Sequence, residues 1–303
     1  MTGAAEAGGS AAERTVAGVI PGRPSAFVDR GDQLAVLREA QGGSGSCVVH
    51  VVTGTRGVGK TQLAAAYARE CAAAGWRLVA WINASCHAQM LAGLAEAAAA
   101  LGVPVGEDHE ATARALRHRL ESDGRRCLLV FDDPVDLARL AAYLPTAGRT
   151  RIVITSTALS ATSLGTPIPV GVFSLGQAAS YLAERTGLED DGAARAVAGE
   201  LGCLPLALAQ AGGVIAAQRI GYRICLDRLR AMPVARYLAP AADDPLSQAS
   251  PTYKRFNEAL MKGAKALVGG YDVVINPLDQ FMRTADWFIV ECKKRMPAGS
   301  AQS

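Results

Sequence analysis

The sequence predicts an α/β fold, a parallel sheet with helices on both faces followed by a small all-helical part, and three observations predict it. Apolar runs of strand length, Cys47 to Val52, Trp76 to Asn83, Cys127 to Asp132 and Arg151 to Thr155, alternate with segments of helical spacing. Such alternation marks strands joined by crossover helices. The first of these runs passes through a glycine-rich turn directly into a helix start. From Leu175 onward the apolar spacing is helical throughout.

Taken in order, residues 1–23 are small, polar and unpatterned, and are expected to form a disordered arm. They lack a charged stretch followed by an apolar core, so no secretory leader is expected. Phe27-Val28-Asp29-Arg30 leads into an amphipathic helix ending near Ala40, with Leu34 and Leu37 on its buried face. Gln41 to Ser46 reads as a connector. A helix from Lys60 to about Ala74 is stopped by Gly75, ahead of the buried strand ending at Asn83. Helices about Ala88 to Leu101 and Glu110 to Ser122 follow, and then the strand that ends in Asp132 and Asp133. A short helix, Val135 to Tyr143, precedes the strand ending at Thr155, and Pro167 to Phe173 reads as the last strand.

Helices are expected over Gly176 to Thr186, Asp191 to Leu201 and Tyr222 to Arg230, with another that carries Pro205 in its first turn, where proline is tolerated. Pro233, Pro240, Pro245 and Pro251 mark a linker. The expected organisation is therefore an arm (1–23), a nucleotide-binding domain (24–174), a helical subdomain (175–232), a linker (233–250) and an unassigned helical tail (251–303).

The stretch Gly54-Thr55-Arg56-Gly57-Val58-Gly59-Lys60-Thr61 has the spacing G-x-x-x-x-G-K-T, that of a loop for nucleotide phosphates. Gly54, Gly57 and Gly59 permit positive φ and close backbone approach, so that consecutive amides can converge on phosphate oxygens. The helix beginning near Lys60 adds the positive end of its dipole. Lys60 is expected to reach the β and γ phosphates and the Thr61 hydroxyl to coordinate Mg2+. Lys60 is also the only lysine before Lys254, although arginine is used freely. A compact ammonium suits phosphates in a way that a planar fork does not. At the end of the Cys127 strand, Asp132 is expected to hold Mg2+ through water and Asp133 to polarise an attacking water. In a parallel sheet ligands lie at the carboxyl ends of the strands, where this loop, the two aspartates and Thr155 to Thr157 would converge.

Bulk properties narrow the class. Half of the 303 residues are hydrophobic, enough for one large or two modest cores, but aromatics are only 5%. Packing must rely on aliphatic side chains and close helix approach. A net charge of +3 with no dense basic run does not indicate nucleic acid binding. No apolar segment approaches membrane-spanning length, and a cytoplasmic protein is expected. The seven cysteines form no C-x-x-C pair and read as small buried hydrophobes, and the four histidines are scattered.

With these landmarks placed, the chain resembles the nucleotide-binding region of the NB-ARC family, within the STAND class of P-loop NTPases, and especially its bacterial members. The likeness runs from about Pro24 to Arg230. FVDRGDQL resembles the family's F-V-G-R-x-x-E-L opening, GTRGVGKTQLA and LLVFDD its Walker A and B motifs, and GCLPLALAQAGG its G-L-P-L-A motif. The resemblance implies a P-loop NTPase sheet followed by a small helical subdomain. It implies an ATP or ADP site with Mg2+, in which Val28 and Arg30 lie near the nucleotide, Gly54 to Gln62 hold the phosphates and Pro205 packs by the adenine. It further implies a switch in signal transduction or regulation, with slow or incidental hydrolysis, a protein partner and nucleotide-dependent self-association.

Departures from the pattern matter. Asp29 stands where the family has glycine, Gln33 where it has glutamate, and Arg56 where glycine is frequent. ITST ends in Thr157 at the position of an arginine. A charge-assisted contact of that kind is worth roughly 1.5 to 3 kcal/mol, comparable to a typical allosteric coupling. Neither a winged-helix domain with an M-H-D motif nor a repeat array is recognisable. An ADP-stabilised interaction module without switching, or a turnover ATPase, are the alternatives.

Overall fold

A computed structural model of the protein describes residues 15–39 and 47–231. The start of the expected arm, residue 40, the connector at 41–46, and the linker and tail at 233–250 and 251–303 lie outside the described residues. Contacts divide the chain into two compact units. One takes in Arg30–Gly54 and Lys60–Val170 with the chain up to Arg23; the other takes in Pro24–Asp29, Thr55–Gly59 and the chain from Gly171.

The first unit is built on a sheet of six parallel strands: β1 (Thr15–Ala17), β2 (Val48–Thr53), β3 (Leu78–Asn83), β4 (Cys127–Asp132), β5 (Thr150–Ser156) and β6 (Thr166–Pro169). Their order across the sheet is β1-β3-β4-β5-β2-β6. Helices α1 (Gly31–Glu39), α2 (Lys60–Ala73), α3 (His87–Ala100), α4 (His109–Ser122) and α5 (Leu137–Tyr143) cover its two faces. On one face Ile82, Leu129, Phe131, Ile152 and Ile154 pack with Met90, Leu94, Leu116 and Leu120 from α3 and α4. Being buried on both sides, the central strands read as continuous apolar runs, which is why they were visible in the sequence.

The other face meets α1 and α2. Helix α2 buries Leu63, Ala64, Ala65, Ala66, Tyr67, Ala68 and Cys71, small residues that allow close approach. Arg151 on β5 ties this layer together. Its Nη1 donates to the carbonyls of Leu37 and Arg38 at the C-terminal end of α1 and to the Tyr67 hydroxyl, and its guanidinium lies 5.3 Å from the centroid of the Trp76 ring. A cation there complements both the helix dipole and the aromatic face.

Two strands differ from expectation. The arm was expected to be disordered through residue 23, yet Thr15–Ala17 pairs with Leu78, Val79 and Ala80 as the edge strand β1. Three residues are too few to show a periodic pattern. The last strand stops at Pro169 instead of Phe173; Pro167 and Pro169 lack an N–H and are tolerated because β6 pairs on one side only, with β2. A 3₁₀ turn over Leu159–Leu164 leads into it.

The second unit is helical: α6 (Leu175–Thr186), α7 (Asp191–Glu200), α8 (Pro205–Gln218) and α9 (Tyr222–Ala231). Its last stretch of chain begins at Gly171, where residue 175 was expected to open the helical part. Ser174 and Gln177 form a capping box on α6, and Gly187 ends the helix at φ 72°. Arg185 reaches Ser25 at 3.0 Å, holding Pro24–Asp29 to α6. Among the described residues no helix is long and apolar enough to cross a membrane. All six described cysteines are free; Cys86 is exposed, and the others are buried or half-buried.

His50 lies on β2, 5% exposed, with no hydrogen-bond partner at either ring nitrogen. Burial and the Arg151 cation hold its pKa below the ordinary histidine value. Between that lowered value and about 6.5 the unfolded chain binds a proton that the folded chain does not. Stability therefore rises with pH across this window and is lost on acidification below about pH 6.5. Denaturant midpoints measured against pH are expected to follow that slope, and His50→Leu to flatten it.

Candidate functional site

At the carboxyl edge of the sheet, β2 ends at Thr53, Gly54 follows, and the chain re-enters the unit at Lys60, the first residue of α2. Gly54, Gly57 and Gly59 all have positive φ, 149°, 83° and 100°. This is the conformation that the spacing anticipated, and side chains rarely adopt it. Lys60 is 9% exposed, and its ammonium donates to the Gly54 carbonyl at 3.0 Å. The charge is thus folded back along the loop from which it springs.

The sheet order decides what lies beside it. Because β5 is inserted between β2 and β4, Thr53 is in register with Ser156, and Thr155 with Asp132. Asp132 Oδ1 accepts from two hydroxyls, Thr61 Oγ1 at 2.9 Å and Thr155 Oγ1 at 2.6 Å. Burial raises the Asp132 pKa above the ordinary value and the adjacent Asp133 charge adds to the rise, while the two hydroxyls and Lys60 oppose it. Asp133 takes the left-handed conformation at φ 53°, and its N–H donates to Thr155 at both the carbonyl, 3.2 Å, and Oγ1, 3.0 Å. Thr155 therefore engages both aspartates. It is fully buried, at the strand end expected to converge on this edge, and its hydrogen bonds to Asp132 and from Asp133 are what residue type alone does not announce.

A hydroxyl and a carboxylate in contact are hard oxygen donors of the kind Mg2+ accepts, and Mg2+ sites commonly use one or two protein oxygens beside phosphate and water. Among the described residues no group of three or more His, Cys, Asp or Glu is placed to hold a metal. The donor set fits an ion that arrives with its own phosphate ligands.

The loop tip, Thr55–Gly59, groups with the helical unit. Val58 is buried there, Thr55 and Arg56 are exposed, and the Gly57 carbonyl accepts from Leu206 N–H at 3.1 Å. Pro205 occupies the first position of α8. Val28, in Pro24–Asp29, is half-buried in the same unit. In the sheet unit Arg30 precedes α1 and its carbonyl accepts from Leu34 N–H at 2.9 Å; burial lowers its guanidinium pKa. Gln62, in the first turn of α2, has a buried Oε1 with no hydrogen-bond partner. Thr157 is exposed.

No protein-family model and no curated protein sequence matches the chain. Solved structures do. A STAND signal transduction ATPase with a tetratricopeptide repeat sensor from Pyrococcus horikoshii is 16% identical, over 69% of this chain and 33% of its own, with a TM-score of 0.46. This chain spans about a third of that protein. The Orc1 protein of Aeropyrum pernix, solved in complex with DNA, is 17% identical over 89% of this chain and 84% of its own, with a TM-score of 0.45. Cdc6p of Pyrobaculum aerophilum is 14% identical over 90% of this chain and 96% of its own, with a TM-score of 0.48.

A carboxyl group whose folded pKa is raised binds more protons in the folded than in the unfolded chain, so its contribution to stability falls as pH rises through that window. At neutral pH the Asp132 carboxylate is therefore a cost to the ligand-free fold. Asp132→Asn is expected to leave the melting temperature of the ligand-free protein unchanged or raised at neutral pH, as checked by calorimetry.

Proposed function

We propose that the chain is an adenine-nucleotide switch domain of NB-ARC type, within the STAND class, binding ATP or ADP with Mg2+ and acting in signal transduction or regulation. The observation that carries this reading is the contact of Thr61 with Asp132 directly beside the buried Lys60 ammonium. Those three groups, two from the first turn of α2 and one from the end of β4, are what a phosphate chain with a divalent ion requires. Lys60 exchanges its bond to the Gly54 carbonyl for the β and γ phosphates. Thr61 and Asp132 hold the ion, and Thr155 keeps Asp132 oriented. Mg2+ supplies neutralisation of phosphate charge when bound. Asp133 orients a water, with hydrolysis slow. Amides of Gly54 to Gln62, including those of Thr55, Arg56, Val58 and Gly59, surround the phosphates, while Val28, Arg30 and Pro205 serve the nucleoside.

The reading predicts a partner protein and nucleotide-dependent self-association. A second reading, an ADP-stabilised interaction module that does not switch, is favoured by one observation: the position at which the family carries an arginine is an exposed threonine, Thr157. Moving a conformational equilibrium from 1:99 to 99:1 takes about 5.5 kcal/mol of differential binding. A site without that arginine has fewer contacts able to tell ATP from ADP.

Purified protein is expected to carry adenine nucleotide. ADP at about a hundred times its Kd should add roughly 2.7 kcal/mol of stability, an increment that Lys60→Ala abolishes in thermal melts. Unequal stabilisation by ADP and by ATP with Mg2+ is the expected result, and equal stabilisation would count for the module instead. Phosphate release should be slow and should fall further in Asp133→Asn; sustained turnover would mark a true ATPase.

A further inference from the structure

The amino edge of the sheet, at the opposite ends of the strands from Asp132, gathers arginines that are spread out in the sequence. Helix α4 ends there at Ser122, the turn Asp123 to Arg126 leads into β4, and Arg149 precedes β5. Cys127 is in register with Thr150, so Arg126 and Arg149 stand just ahead of adjacent strands, which run about 4.8 Å apart. Arg149 Nη1 donates to the Gly124 carbonyl at 3.4 Å, which ties it to the same turn. The Arg126 guanidinium lies 5.9 Å from the centroid of the Trp76 ring. Both residues are exposed, and among the described residues neither makes an ion pair. Beside them, Asp123 already serves two guanidiniums, Arg125 at 3.3 Å and Arg119 at 3.7 Å. Glu121 is taken by Arg117 at 3.1 Å and by the amide and hydroxyl of Thr146.

We propose that this amino edge is a docking surface for an acidic segment of a partner protein, with Arg126 and Arg149 as the residues that take its carboxylates. The surface goes beyond the nucleotide reading and does not depend on it. The C-terminal dipole of α4 and the Asp123 carboxylate account for Arg119 and Arg125, which lie at that helix end. They leave Arg126 and Arg149 with their charges uncompensated, side by side. Like charges held close together repel, and an anion that bridges them removes the repulsion. A guanidinium meets a carboxylate through a planar fork, and an extended peptide presents alternate side chains on one face roughly 7 Å apart. Two arginines on flexible stems ahead of neighbouring strands match that repeat. A nucleic-acid backbone is the poorer match. Single strands are held by a basic groove together with aromatic faces open to the bases. The ring beside this pair, that of Trp76, is only 8% exposed, and the chain carries a net charge of just +3.

The test titrates the full chain against a fluorescently labelled decaglutamate peptide, read by anisotropy at low ionic strength and without nucleotide. A protein that fails to bind ADP therefore still gives a decisive result. Arg126→Gln/Arg149→Gln should raise the Kd of the peptide about tenfold, the effect of removing two exposed ion pairs. The control, Arg114→Gln/Arg139→Gln, removes the same net charge from α4 and α5 and should leave the Kd within about twofold. All four side chains are exposed, and melting curves check that both variants fold as the parent does. Equal weakening in the two variants would overturn the proposal, because net charge alone would then account for binding. So would a failure of the unmodified protein to bind the peptide. Tighter binding of a labelled oligothymidylate of the same charge would overturn it too, by making the edge a nucleic-acid surface.

Discussion

The constraint that organises the sheet unit is the partial burial of one carboxylate, Asp132, at the end of an internal strand. An isolated buried charge is costly, and what makes it tolerable is hydrogen bonding from groups fixed in place. Here both come from neighbouring elements: Thr61 from the first turn of α2 and Thr155 from β5. A hydrogen bond to a charged group contributes about 1.5 to 3 kcal/mol, so two of them compensate a large share of the burial. That solution needs β5 to lie between β2 and β4, and the strand order provides it. Thr155 then uses the same hydroxyl to receive the amide of Asp133, whose left-handed backbone would otherwise be poorly supported.

Away from the carboxyl edge, a chain poor in aromatic residues packs by proximity. Gly93 brings α3 against Ile82, where a Cβ would lie 3.0 Å from that side chain, and Gly165 lies so near Val49 that a Cβ would meet its carbonyl at 2.4 Å. Where small residues cannot fill the gap, long polar side chains do. Arg151 spans from the sheet to α1 and α2 with its guanidinium over Trp76, adding stem packing to its hydrogen bonds.

Much of this was legible in the sequence. Strands buried on both faces declare themselves as unbroken apolar runs, and the glycine spacing from Gly54 to Gly59 foretold the positive φ values found at all three glycines. What escaped is physically of a different kind. Strand β1 is too short to carry a period and presents only Ala17 to the core. Thr155 was expected at this edge with Asp132, but its hydrogen bonds to that carboxylate and from the Asp133 amide follow from register, a relation between segments far apart in the chain. The same holds for Leu206, whose hydrogen bond to the Gly57 carbonyl is made by a backbone amide and leaves no trace in residue type. Arg151 interrupts an otherwise apolar strand, which hinted at a special environment without naming the helix end it serves.

The two ends of the ladder have a consequence for how copies of this fold meet. On one side, β6 carries Pro167 and Pro169, which deny an incoming strand two of the donors it would pair with. On the other, β1 offers three residues, roughly 10 Å of backbone. Strand addition is blocked at one margin and brief at the other. To a second copy, the described margins of this sheet would offer side-chain surfaces and little free backbone.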